Sequence, residues 1–434
     1  MQDELQALKN TRTWDLVDLP TEKFLIGCKW VYKIKTRSDG SMDCYKACLV
    51  AKGFTQEYGI DYEETFASVA CLTFVSSLLA IATIWRWTLF QMDVKDAFLN
   101  GDLEEDVYMK PPPRLNHPPN KVCRLRLALY GLKQSPRAWY AKFNATVNEF
   151  GFTSNPYDIA LFIRKTAQDL GVLSYFLELE VTFSNDGYLL SQVKYAFNLV
   201  SKAELNDGKS VSTPLEPNVK LAPMDGSSLF DPTCSWQLVG SLIYLTMTCL
   251  DITYAIHIVS QFMATPRSTH YAAILCIIHY VKGTLFHGLH FSANSSLMLH
   301  TYSDADWVGN PSDCRSTTGY CLFLGNSLIS WQSKKQTILA RSSAKAEYRA
   351  LGNGILNAFD LSDLKYLFKM PTPHVRCRNL KSAETSCFLE GGFDSQLMVT
   401  TLRPFFNFQR ETNLKCYQHK ECSIPLASFI TMAS

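Results

Sequence analysis

Between Val75 and Asp93 the apolar period of this chain switches from helical to alternating. Val75, Leu78, Leu79, Ala82 and Trp85 fall at i, i+3, i+4, i+7 and i+10, one stripe of a helix. From Trp87 the register becomes two: Trp87, Leu89, Gln91 and Asp93 share one face, Thr88, Phe90 and Met92 the other. A helix running into a strand whose last residue is a carboxylate restricts the chain to folds that mix the two elements, and the helix is expected to pack on one face of that strand's sheet. Asp93 is the first candidate catalytic and metal-ligating residue; the alternative, commoner for a strand-end Asp next to Asp96, is a turn or capping residue. Nucleotidyl transfer by two metals needs at least two converging carboxylates, usually with an Asp-Asp pair on a hairpin. The 434 residues contain no Asp-Asp dipeptide.

Other stretches add elements on both sides. Phe24 to Lys35 and Tyr45 to Phe54 read as strands of a β-meander around Ser38–Ser41. Ser135 to Phe150 reads as a helix with Trp139, Phe143 and Val147 on one face. Residues 111–120 and 206–234 are loop-like, and helical patterns return at 236–263 and 268–282. From 297 the pattern becomes strand (Leu297 to Asp304), then a hairpin of Thr318–Leu324 and Ser327–Ser333 around Gly325-Asn326. A helix capped by Ser342-Ser343 follows, from Ala344 to about Leu356. The chain is therefore expected to be α+β, and its length suggests two to four domains at roughly 150 residues each.

Net charge is +2, so attraction to an acidic partner has to come from local patches. One such patch is legible. Between Asp106 and Glu149 there is no acidic residue, while Lys110, Arg114, Lys121, Arg124, Arg126, Lys133, Arg137 and Lys142 are interleaved with Tyr108, Tyr130, Trp139, Tyr140 and Phe143. Cations track phosphates and aromatic faces stack bases, which points to nucleic acid. The bland alternative is a solvated face with ordinary core aromatics. Asp304, at a strand end, with Asp306 and the helical Glu347, forms a second candidate site for Mg²⁺ and phosphodiester hydrolysis; exposed surface acids are the alternative. Cys416, His419 and Cys422 have metal-ligand types but number three, where structural zinc takes four.

Fourteen cysteines without a repeating spacing fit reduced thiols, and the N-terminus lacks the layout of a signal peptide. The apolar runs Leu78–Trp85 and Leu242–Leu250 fall short of the ~18 residues that span a bilayer. The expectation is an intracellular chain with no membrane partner.

Longer words of sequence carry a resemblance. Gly27–Lys33, Tyr45–Gln56, Gly59–Phe66, Gln91–Leu103 and Leu129–Trp139 resemble the reverse transcriptase of copia-type retrotransposons, as do Val239–Leu245 and Ser260–Met263. Tyr302–Trp307, Arg315–Tyr320 and Ser330–Lys335 resemble the ribonuclease H domain that follows it in the same polyprotein. The resemblance runs from about residue 1 to 383. It implies a right-hand polymerase fold of fingers (1–70), palm (71–205) and thumb/connection (206–295). A ribonuclease H-like α/β domain (296–383) and an unrecognised tail (384–434) follow. The implied activities are RNA-directed DNA polymerisation and hydrolysis of RNA in RNA–DNA hybrids, with Mg²⁺ as cofactor. The implied partners are an RNA template, a DNA primer or the hybrid. Asp93 would be the first palm ligand, and Asp304 and Glu347 the first two ribonuclease H ligands. Lys46 would face the incoming triphosphate, and Gln134 with its neighbours the nucleotide and template. Tyr175–Glu180 resembles the primer grip.

Departures from the family are as specific. The family continues from its Ala-Leu-Phe segment into a strand, Tyr-Val-Asp-Asp, a second strand and a helix; here Ala160-Leu161-Phe162 runs on to Asp169 without them. The implied palm is incomplete, and its remaining strand is expected to keep unpaired backbone groups. Cys48 and Ser76 stand where the family has Arg, and Glu178 where it has Gly. Arg378 takes the position of a third ribonuclease H carboxylate, placing a cation where a metal ligand belongs. The reading that results is a reverse transcriptase–ribonuclease H region inactive in both sites. The alternatives are a non-catalytic nucleic-acid-binding remnant, or an active enzyme whose gene model omits the Tyr-x-Asp-Asp segment.

Overall fold

The computed structural model describes residues 1–360 apart from 37–41, 68–71, 95–96, 155–161, 164–170, 177, 206–207, 217–218, 220 and 311–312, together with 376–379 and 428–433. In chain order it begins with α1 (Gln2–Asn10), β1 (Trp14–Asp18), β2 (Cys28–Thr36), β3 (Met42–Ala51), α2 (Leu72–Ile84) and β4 (Thr88–Asp93). Then come β5 (Tyr108–Met109), β6 (Lys121–Leu125), α3 (Ser135–Glu149), β7 (Thr153–Ser154), β8 (Phe162–Ile163) and β9 (Gly171–Val172). The middle holds β10 (Tyr175–Phe176), β11 (Leu179–Ser184), β12 (Gly187–Ser191), α4 (Val193–Lys202), α5 (Thr233–Leu245), α6 (Thr253–Ser260) and α7 (Ser268–Gly283). The last are β13 (Gly288–Ser292), β14 (Leu299–Ala305), β15 (Thr317–Leu324), β16 (Ser327–Lys335), α8 (Ser343–Asp360), β17 (Arg376–Asn379) and β18 (Ser428–Ala433). Two compact units result, one of residues 1–70, 92–167 and 421–429, the other of 71–91, 168–420 and 430–434.

In the first unit β6 lies between β1 and β5, antiparallel to both. Instead of a meander, β2 and β3 form a two-stranded antiparallel ladder of their own. Leu8, Ile26, Leu49, Met109, Leu125 and Leu129 make one core. Trp139, Phe143 and Val147 of α3 pack with Ala97 and Phe98 in a second, as the four-residue spacing requires. Gly53 and Gly131 bring two loops into contact: a Cβ on Gly53 would lie 2.0 Å from the carbonyl oxygen of Gly131. Gly131 has φ +91°, a conformation that L side chains rarely adopt.

In the second unit α4 to α7 bury a shared core that includes Leu199, Leu238, Leu242, Ile256 and Ile277. The single helical run expected over 236–263 is broken between Leu245 and Thr253. Asp251 holds that break, accepting from the Ile252 backbone N–H at 3.1 Å and from the Tyr280 hydroxyl of α7 at 2.5 Å. A second sheet runs β10-β11-β12-β13, and a third β16-β15-β14-β17. The hairpin expected around Gly325 is β15 and β16, with Gly325 at φ +57°. In the third sheet β17 is parallel to β14 and α8 covers β14 and β15. Ala346, Ala350 and Gly354, at four-residue steps on α8, allow that approach; a Cβ on Gly354 would lie 3.0 Å from Thr301 Oγ1.

Two expectations need correction. The apolar face of α2 meets β12, β13 and β16, because a periodic stripe defines which face is buried and not which element buries it. And β4 is not left with a bare edge, since it lies between β9 and β18. The junction at 164–170 and the Cys416, His419, Cys422 group lie outside the described residues.

Candidate nucleic-acid interface

The close approach of Gly53 to Gly131 sets Gln56 beside the start of α3. There Gln134 is 1% exposed and both ends of its amide are occupied: Oε1 accepts from Gln56 Nε2 at 2.9 Å, and Nε2 donates to the Asp61 carbonyl at 3.0 Å. Gln56 Oε1 accepts from the Lys133 backbone N–H at 2.9 Å. The Lys133 ammonium donates to the Gln56 carbonyl at 3.0 Å and to the Tyr62 hydroxyl at 3.1 Å, 4.6 Å from the Tyr62 ring centroid. Asp61, 3% exposed, accepts from the Glu57 backbone N–H at 2.9 Å and closes the turn. Lys133 and Gln134 thus spend these hydrogen bonds on joining two loops. Gln56, Asp61 and Tyr62 lie within recognisable words, but nothing local ties them to 133–134.

Five of the eight cations in the acid-free run pair with acids upstream of it. Lys121 pairs with Asp18 at 2.9 Å, Arg124 with Asp106 at 2.7 Å, and Arg126 with Asp15 at 3.8 Å. Arg137 pairs with Glu105 at 3.5 Å, and Lys142 with Asp102 at 2.9 Å. The Lys142 ammonium is held above its usual range by that hydrogen bond and by the Asp102 charge. Exposed pairs of this kind contribute little to stability, yet each sets an anion beside a cation that a phosphate would otherwise meet.

The β2–β3 ladder arranges charge differently. Its register pairs Lys29 with Val50, Val31 with Cys48, Lys33 with Lys46 and Lys35 with Cys44. Alternation therefore puts Lys29 and Lys46 on one face of the hairpin, with Trp30 and the buried Leu49 on the other. Cys48 falls on the same face as the lysines.

Asp93 is the last residue of β4. Asp304 lies in β14 and Glu347 in α8. Alternation in β14 turns Ser303 and Ala305 to the buried side and Asp304 to the other. Asp306 is occupied by the start of β15, its Oδ1 accepting from the Thr317 backbone N–H at 2.8 Å. Arg378 takes the register position opposite Tyr302 on β14. Among the described residues no three His, Cys, Asp or Glu side chains group closely enough to hold a metal ion.

The β2–β3 hairpin thus leads through Gln56 into a buried amide lock at the start of α3. Residues 11–169 match the family model described as reverse transcriptase (RNA-dependent DNA polymerase). The chain belongs to the copia-type retrotransposon Pol polyprotein family, through its reverse transcriptase. It is 40% identical over 392 residues to the Retrovirus-related Pol polyprotein from transposon RE1 of Arabidopsis thaliana, covering 81% of this chain and 27% of that one. With the polyprotein from transposon TNT 1-94 of Nicotiana tabacum it shares 33% identity over 401 residues, covering 81% and 30%. An uncharacterized mitochondrial protein of Arabidopsis thaliana, AtMg00810, is 43% identical over 185 residues, covering 42% of this chain and 76% of that one. The chain thus spans under a third of the two polyproteins. A solved foamy viral protease-reverse transcriptase in complex with ds DNA aligns over 88% of this chain and 70% of that one, at 10% identity and a TM-score of 0.42.

Proposed function

We propose that this chain is the reverse transcriptase–ribonuclease H region of a copia-type element that has lost catalysis at both sites and keeps a surface for nucleic acid. The observation that carries the loss is the missing Asp-Asp pair: Asp93 ends its strand, and no adjacent acidic pair of aspartates exists anywhere in the 434 residues to converge with it. The second site follows the same logic. The sheet order β16-β15-β14-β17 with α8 across it supports reading 296–383 as ribonuclease H-like, with Asp304 and Glu347 as its carboxylates and Arg378 in place of the third. The fingers, palm and thumb assignments of the remaining regions belong to the same proposal.

Primer extension on an RNA template with Mg²⁺ or Mn²⁺ tests the reading. The chain is expected to extend no more than its Asp93→Asn variant, and extension above that variant overturns it. Sequencing the cDNA across Lys165 to Asp169 distinguishes a lost segment from one omitted by a gene model. Retained binding to RNA, DNA or their hybrid rests on the lysine face of β2–β3, and a phosphate-driven interaction weakens steeply with salt.

A further inference from the structure

The β2–β3 ladder has a second face, opposite Lys29 and Lys46. Cross-strand partners share a face, so the pairs Trp30 with Leu49, Tyr32 with Ala47 and Ile34 with Tyr45 follow one another along it toward the turn. At its base this face belongs to the core. Leu49 is fully buried, and Trp30 packs against the same cluster while its indole N–H donates to the Pro113 carbonyl at 3.4 Å. From the next pair outward the cover is gone: Tyr32 is 65%, Ile34 61% and Tyr45 75% exposed. Among the described residues neither tyrosine ring meets another ring, and neither hydroxyl has a hydrogen-bond partner. Single exposed apolar side chains are ordinary, but three in one block form the kind of patch that a partner covers.

Geometry narrows the partner. Tyr32 and Tyr45 hold opposite corners of a four-residue block, with Ile34 and Ala47 at the other two. Diagonal cross-strand neighbours stand ~7–8 Å apart, within reach of aromatic side chains. That is about twice the ~3.4 Å rise per nucleotide of a stacked strand, so the two corners leave room for one flat base between their rings.

Charge narrows it further. Residues 28–51 hold Lys29, Lys33, Lys35, Arg37 and Lys46 against Asp39 and Asp43, a surplus of three cations where the whole chain has a surplus of two. A second copy would set like charge against like, whereas a polyanion meets its complement. Lys46 directly follows Tyr45 in β3, whose outer edge has no strand beside it among the described residues. A nucleic-acid strand along that edge meets a ring on one face and an ammonium on the other. Bases inside a duplex are already stacked on one another, while those of a single strand offer free faces.

We propose that Tyr32 and Tyr45 form a base clamp that makes the hairpin prefer single-stranded nucleic acid, one unpaired base stacking between the two rings while the lysines take the phosphates. The clamp rests on the nucleic-acid reading above. It lies on the face opposite Lys46, to which the resemblance gives the incoming triphosphate.

Fluorescence anisotropy of the full chain tests it with three labelled probes: a short oligothymidylate, an abasic strand of equal length and a duplex of equal length. The oligothymidylate is expected to bind about tenfold more tightly than the abasic strand, the contribution of a stacked base. In Tyr32→Ala/Tyr45→Ala that ratio is expected to fall to about one, with affinity for the abasic strand and the duplex unchanged. Tyr32→Phe/Tyr45→Phe keeps both rings and is expected to keep the ratio. Thermal melts followed by circular dichroism establish that each variant is folded; should the double Ala variant melt early, Tyr45→Ala alone carries the comparison. Equal affinity of the parent for the base-bearing and abasic strands overturns the clamp and leaves the nucleic-acid reading standing. So does a ratio unchanged in the Ala variant, or duplex binding that falls in parallel with the single strand. Absence of binding to all three probes overturns both.

Discussion

Gln56 donates from its side-chain amide to Gln134 at 2.9 Å, although 78 residues of chain separate the two. Gln134→Leu keeps most of the volume and strands the Gln56 amide hydrogen and the Asp61 carbonyl in a buried place. The expected loss is about 2 kcal/mol, the penalty for buried polar groups without partners, read as a lower urea midpoint with unchanged m-value. The first unit should then melt more easily while nucleic-acid affinity below the transition stays near that of the parent, because the Gln134 side chain is buried.

Lysines on one face of β2–β3 should act together and non-specifically. Replacing Lys29 and Lys46 by Ser is expected to weaken binding to single-stranded DNA and RNA alike. The slope of log affinity against log salt should fall by ~0.7 per phosphate contact removed. Filter binding across a salt series measures both. Replacing Lys121 or Lys142, each already paired with an aspartate, is expected to change the slope far less.

Glu178 turns the β10–β11 hairpin with φ +58°, and its carboxylate accepts from the Tyr175 hydroxyl at 2.5 Å. Left-handed backbone costs a non-glycine residue ~1–2 kcal/mol, and here the local hydrogen bond offsets part of it. Glu178→Gly removes both terms and should leave stability within about 1 kcal/mol of the parent. Glu178→Val keeps the strain without the hydrogen bond and is expected to cost about 2 kcal/mol more than Gly. Urea titrations of the three proteins should therefore rank Val last.

His257 should make the second unit acid-sensitive. Its folded pKa lies below the ordinary value of 6.5, through burial first and then the Lys335 charge, so the unfolded chain takes up this proton first as pH falls. The contribution is fully present above pH 6.5 and is lost progressively below it, until the folded ring also protonates. Unfolding midpoints compared at neutral and mildly acidic pH should converge in His257→Gln relative to the parent. An equal acid loss in both proteins would exclude His257 as the source.

What sequence made legible was local. The boundaries of α3, the β15–β16 hairpin and the Ser342 cap, whose Oγ accepts from the Lys345 backbone N–H at 3.3 Å, follow from period, turn residues and capping chemistry. What it hid was partnership. The stripe on α2 announced burial but not β12, β13 and β16 as its neighbours. Lys121, Arg124, Arg126, Arg137 and Lys142 looked like unopposed charge because their acids lie at 15, 18, 102, 105 and 106, outside the window. Asp306 looked like a ligand because nothing local marks the Thr317 amide as its partner. Family words located Gln134 but not its burial, which depends on a contact between two glycines in separate loops.

The position of β17 bears on how this protein fails. β14 is interior only because four residues from Arg376 to Asn379 run beside it. Without them the strand that carries Asp304 becomes an open edge, with a row of free amide and carbonyl groups able to template a second chain. A product cleaved ahead of residue 376 would then be an assembly hazard before it was a destabilised monomer: solubility, more than melting temperature, is where that loss would register.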